Sequence, residues 1–120
     1  VSLHIPLTDE TKYLVNTEWL HQFKKNIVLI NTARGKCVST KDLVNAMRVG
    51  KVVGACLDVL EYEAVSFEKM ESENIPEDLD YIFRSNRVVL SPHIAGWTHE
   101  SNEKIAEILA SRILNVISDI

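Results

Sequence analysis

Three short segments hold side chains suited to acid–base and anion-binding chemistry: Asn31-Thr32-Ala33-Arg34-Gly35, Asp58-Val59-Leu60-Glu61-Tyr62-Glu63 and Ser91-Pro92-His93-Ile94-Ala95-Gly96. Each directly follows a run of β-branched and aliphatic residues, so each sets a charged or titratable group just past the end of an expected strand. In open parallel α/β sheets, ligands bind outside the carboxyl ends of the strands. An arginine, a carboxylate and a histidine delivered there together read as an active site.

Each group has a chemical use and a plainer alternative. The planar guanidinium of Arg34 matches a carboxylate bidentately, and the neighbouring Gly35 allows close backbone approach by a ligand. The same position suits an arginine that closes a helix–strand salt bridge. Asp58 or Glu63 beside His93 would raise the imidazole pKa and fix its tautomer. From spacing alone, both acids could equally be solvated loop residues. His93, between Pro92 and a small-residue turn, is the sharpest of the three signals.

The elements that must position these groups follow from hydrophobic pattern and caps. Val1 to His4 reads as a short strand stopped by Pro6. A short helix is expected from Asn16 or Thr17, with Trp19, Leu20 and Phe23 on its apolar face. Ile27 to Ile30 and Val52 to Leu57 have the continuous apolar character of parallel strands buried on both faces, and Val88 to Leu90 is a further buried strand. Between them, Ser39 or Thr40 caps a helix bearing Leu43, Val44 and Met47 that closes at Gly50. One or two short helices are expected between Glu61 and Asn86, one starting at Pro76. From about Thr98 to Ser118, Ile105, Ile108, Leu109, Ile113, Leu114, Val116 and Ile117 mark a long amphipathic helix capped by Thr98 or Ser101. The alternation predicts an α/β fold: about four parallel strands with crossover helices and a long C-terminal helix, the second half of a Rossmann-type doubly wound sheet.

Composition narrows the classes. A net charge of −4 with scattered Lys and Arg gives no electrostatic footprint for nucleic acid or an anionic membrane surface. No apolar stretch reaches the roughly 20 residues of a membrane span. Cys37 and Cys56 lack CxxC spacing and read as buried reduced thiols, and the four histidines form no metal-ligand pattern, so no metal site is expected. The chain of 120 residues starts inside a strand, without methionine, and has no glycine-rich phosphate loop. It is therefore expected to be a partial dinucleotide-binding domain, residues 1–120, cut from a larger protein. An exposed sheet edge at Val1 and a bare hydrophobic flank predict association or poor solubility in isolation.

The segment from Leu3 to Thr8 with Glu10-Thr11, then Asn31 to Gly35, Gly54 to Glu63 and Ser91 to Thr98, in this order and spacing, resembles the nucleotide-binding domain of D-isomer-specific 2-hydroxyacid dehydrogenases, which include phosphoglycerate and D-lactate dehydrogenases. The resemblance spans nearly the whole chain. It implies an NAD-dependent oxidoreductase acting on a small 2-hydroxy or 2-keto acid, with NADP also open, and a cytoplasmic, homodimeric parent.

The resemblance further implies a catalytic set of Arg34, which would bind the substrate carboxylate, His93, the general acid, and Glu63, its partner. The cofactor-binding positions it implies are His4, Ile5, Pro6, Thr32, Ala33, Arg34, Asp58, His93 and Gly96. Ile5 and Pro6 would lie near the ribose, Thr32 and Ala33 by the nicotinamide half, and Asp58 on the carboxamide. Three departures stand out: Ala64 replaces the usual proline after the second acid, the acidic insert from Ser66 to Ser85 is long, and the glycine-rich loop and substrate domain are absent. The alternative on the same fold is an NAD-sensing, corepressor-like regulator, which would not need Arg34, Glu63 and His93 together.

Overall fold

The computed structural model describes residues 1–62 and 75–118. Four strands form one sheet: β1 (Ser2–Leu3), β2 (Ile27–Asn31), β3 (Val52–Leu57) and β4 (Val88–Leu90). They lie side by side in sequence order, and every neighbouring pair is parallel. The α/β reading with four parallel strands is therefore correct. Between the strands come α1 (Thr17–His21), a 3-10 turn (Gly35–Cys37), α2 (Thr40–Arg48) and α3 (Glu77–Arg84), and α4 (His99–Ser118) closes the chain.

Local chemistry sets the helix boundaries. The Asn16 side chain accepts from Trp19 N–H at 3.0 Å and starts α1, while Ser39 Oγ accepts from Asp42 N–H at 3.4 Å and starts α2. Gly50, at φ 78°, takes the left-handed turn that follows α2. Thr98 Oγ1 accepts from Ser101 N–H at 3.0 Å at the head of α4. Phe23 falls just beyond α1, its ring packed edge-on against Trp19 with centroids 4.8 Å apart.

The core sits on one face of the sheet. Leu3, Leu29, Ala55 and Leu57 point into it and meet Leu20 of α1, Leu43, Val44 and Met47 of α2, and Ile82 of α3. Leu20, Leu29, Leu43 and Met47 are all at or below 1% exposure. Truncating any of them to Ala would cost about 2–5 kcal/mol. The pleat sends Val28, Ile30 and Val89 to the opposite face, where they are exposed.

This corrects the expectation of strands buried on both faces: among the described residues nothing covers the second face. A register shift between Ile27 and Val28 leaves Val53 as the extra residue of β3. The long helix α4 forms as expected, but none of its residues is buried, and Ile105, Leu109, Ile113 and Leu114 are each more than half exposed. Its apolar stripe is present without a partner among the described residues.

Candidate active site

Four parallel strands side by side bring four carboxyl ends to one edge of the sheet. His4, Ile5 and Pro6 follow β1, Thr32 to Arg34 follow β2, Asp58 follows β3, and Ser91 to Gly96 follow β4. The ladder continues past the strand ends and draws these segments together. Asp58 N–H donates to Asn31 O at 3.0 Å, and Ser91 N–H donates to Leu57 O at 3.1 Å.

Asp58 organises the segment after β4. It is 5% exposed. Its Oδ1 accepts from Ser91 Oγ at 2.5 Å and from Ile94 N–H at 2.9 Å, and its Oδ2 accepts from Ala95 N–H at 2.9 Å. Its backbone oxygen takes the N–H of His93 at 2.9 Å. Burial pushes the carboxyl pKa up, but these three hydrogen bonds and the nearby His93 outweigh it and hold the group below its ordinary value. One carboxylate thus fixes both sides of His93. His93 itself sits at φ 57°, a left-handed conformation that is strained for a residue with a Cβ. The His93 side chain is exposed at the sheet edge.

Asn31 does the equivalent work for Arg34. It is fully buried, and its Oδ1 accepts from Ala33 N–H at 3.1 Å while its Nδ2 donates to Arg34 O at 3.1 Å. Its side chain therefore shapes the turn that leaves β2. Ala33 is buried in the core cluster, and Arg34 is carried out to solvent, one guanidinium nitrogen donating to Ala33 O at 2.6 Å. Among the described residues Arg34 forms no ion pair.

Sequence reasoning missed Asn31, although a signal was there. Asparagine is poor in strand propensity, and its side chain readily bonds backbone two residues on. At the end of an apolar run and just before Arg34-Gly35, it marks a built turn.

The remaining predicted positions divide. His4 is exposed and its Nε2 lies 2.8 Å from Ser2 Oγ, Ile5 and Thr32 are half-buried, and Pro6 is exposed. Gly96 is exposed with no atom near the place a Cβ would occupy. Glu63 and Ala64, with the first part of the Ser66–Ser85 insert, lie outside the described residues. Cys37 is buried and Cys56 half-buried, and neither is in a disulfide. Among the described residues no cluster of His, Cys, Asp or Glu could hold a metal ion, and no helix is long and apolar enough to cross a membrane.

An open parallel sheet with an arginine, an aspartate and a histidine at adjacent strand ends has the layout of a nucleotide-type α/β domain. The family model for the D-isomer specific 2-hydroxyacid dehydrogenase NAD binding domain matches residues 1–95. The chain belongs to this family. It is 40% identical over 114 residues to a glyoxylate reductase of Korarchaeum cryptofilum, covering 95% of this chain and 31% of that protein. It superposes with a TM-score of 0.79 at 33% identity on the NAD-complexed D-isomer specific 2-hydroxyacid dehydrogenase of Lactobacillus delbrueckii ssp. bulgaricus, over 98% of this chain and 36% of that one. The D-lactate dehydrogenase of Aquifex aeolicus complexed with NAD and lactic acid gives 0.72 at 34% identity, over 98% and 37%. The chain thus spans about a third of the length of the proteins it matches.

Proposed function

We propose that this chain, as part of a longer polypeptide, supplies the acid–base half of the cofactor domain of an NAD-dependent 2-hydroxyacid dehydrogenase. The observation that carries the proposal is the pairing of two outward-facing groups on two built supports. Arg34 is held by Asn31 at the end of β2, and His93 is held by Asp58 across the ends of β3 and β4. Such pre-organisation at a strand edge is what orienting a small charged substrate requires.

The edge fits a dinucleotide in kind. Ile5, Pro6, Thr32 and the backbone at Ala33 would line its nicotinamide end, and exposed Gly96 leaves room for close approach. His4 would stand beside them. A carboxylate has about four acceptor sites. Three on Asp58 are filled by residues 91–95, so at most one lone pair on Oδ2 remains for a carboxamide N–H. When bound, the reduced cofactor supplies the hydride.

The chain's own residues do the rest. The Arg34 guanidinium grips the substrate carboxylate with its fork and polarises the adjacent carbonyl. His93, in its protonated form, gives a proton to the carbonyl oxygen as the carbonyl carbon is reduced, and takes it back in the oxidative direction. Glu63 is assigned as its partner on the family resemblance. Homodimeric assembly and cytoplasmic location belong to the same reading and rest on that resemblance.

The test is turnover by the full-length protein that carries this chain. NADH oxidation with glyoxylate, pyruvate or hydroxypyruvate is the expected outcome, since relatives include a glyoxylate reductase and a D-lactate dehydrogenase. Absence of turnover with a broad 2-keto acid panel and either NADH or NADPH would sink the proposal. No observation favours the regulatory reading on the same fold.

A further inference from the structure

We propose that Glu61 is a positioning residue for Arg34, its carboxylate anchoring to the head of α2 the turn after β3 against which the loop carrying the guanidinium is pressed. The proposal rests on the functional reading above. Glu61 is half-buried, and its Oε2 accepts from the N–H of Thr40, the first residue of α2, at 2.8 Å. A carboxylate is favoured there by the unpaired N–H groups and the dipole of the helix. Ser39 already caps the Asp42 N–H, so Glu61 satisfies a different donor.

Glu61 also neighbours the Tyr13 hydroxyl, and its interaction with that phenol holds the phenol pKa above its ordinary value. Tyr13 sits at φ 54°, the second non-glycine residue with a left-handed backbone among the described residues. Strain of this kind persists where surrounding contacts over-determine it. Tyr13 N–H donates to Lys36 O at 2.8 Å and Val15 N–H to Cys37 O at 3.0 Å, stitching this loop along the residues that follow Arg34.

Gly35 completes the contact. A Cβ on it would stand 1.9 Å from the oxygen of Leu60, 2.1 Å from its carbonyl carbon and 2.8 Å from Glu61 N. No side chain fits between these two backbones. Arg34 is therefore fixed on one side by Asn31 and on the other by Gly35, which is pressed against a peptide that Glu61 anchors. Neither Glu61 nor Tyr13 is needed to touch substrate for this to work, and the effect of losing them passes through Arg34.

Because Arg34 is assigned to the substrate carboxylate, loosening it should appear mainly in KM for the acid. In the full-length protein, Glu61→Ala is expected to raise KM for the 2-keto acid about tenfold, with kcat changed less than about threefold and NADH affinity unchanged. Glu61→Gln keeps an acceptor for the Thr40 N–H and should restore most of the KM.

If Glu61→Ala does not fold, the double variant Glu61→Gln with Tyr13→Phe keeps the bulk and removes the charge and hydroxyl, with KM rising about fivefold. A wild-type KM in the folded variant, whether or not its melting temperature falls, overturns the proposal and leaves the functional reading standing. Absence of turnover by the wild-type protein overturns the reading, and the proposal with it.

Discussion

Replacing Asp58 by Asn removes the charge that holds His93 in place while changing the shape of the side chain very little. In the native protein the two carboxylate oxygens receive one hydroxyl and two backbone N–H groups. An amide has one oxygen, so it can keep Ser91 and Ile94 on that atom while its NH2 faces the Ala95 N–H, donor against donor. A hydrogen bond to a charged group contributes about 1.5–3 kcal/mol and a neutral one about 0.5–1.5, so one bond is lost and two fall by roughly half. The sum is about 3–6 kcal/mol. Residues 91–95 are themselves exposed, so water can take up the orphaned N–H, and about 2 kcal/mol is the expected net cost.

The cost falls on the segment after β4 rather than on the core. His93 is strained at φ 57° and relaxes once its flanks are released. Two kcal/mol corresponds to roughly a thirtyfold change in the local opening equilibrium. Native-state hydrogen exchange should therefore show the Ile94 and Ala95 amides exchanging about thirtyfold faster, with the amides of β3 unchanged. Equal protection of Ile94 and Ala95 in the Asp58→Asn variant and the wild type would refute the clamp.

Acid should weaken the same clamp. The Asp58 pKa is lowered in the folded protein, so the unfolded chain takes up the proton first as pH falls. The stabilisation is fully present above the ordinary carboxylate value and is lost as pH drops through the lower, folded one. Melting temperature followed down from about pH 5 should fall more steeply for the wild type than for Asp58→Asn. Asn31→Ala leaves the Ala33 N–H and Arg34 carbonyl without their side-chain partner and should destabilise by about 2–3 kcal/mol in chemical denaturation; a change under about 0.5 kcal/mol would mean the turn does not depend on Asn31. Gly35→Ala must displace the Leu60 carbonyl, since its Cβ would lie 1.9 Å away, and should cost at least about 3 kcal/mol or abolish soluble expression, whereas wild-type stability would contradict the backbone contact.

The sequence revealed what local patterns control. Ile27 to Ile30 and Val52 to Leu57 read as strands because they are short, β-branched aliphatic runs that favour extended backbone, and Ser39, Gly50 and Thr98 mark boundaries through local turns and bonds to their near neighbours. The placement of Arg34, Asp58 and His93 after strands followed from the same runs. Hydrophobic pattern reports which residues seek burial and not what covers them. Val28, Ile30 and the stripe of α4 therefore looked like core and are exposed among the described residues.

Long-range polar bonds were equally hidden. Asp58 meets Ile94 and Ala95 across 36 and 37 positions, and Glu61 meets Thr40 across 21. No local rule links such pairs. Asn31 differs, because its bonds are local and its unusual residue type at a strand end was readable.

The proposed delivery of a proton by His93 in keto-acid reduction is read out by kcat of the full-length protein carrying His93→Ala, with NADH saturating. A fall of about a hundredfold or more, with NADH affinity within about threefold of wild type, is the predicted result. Turnover within a few-fold of wild type would mean that His93 is not the proton donor.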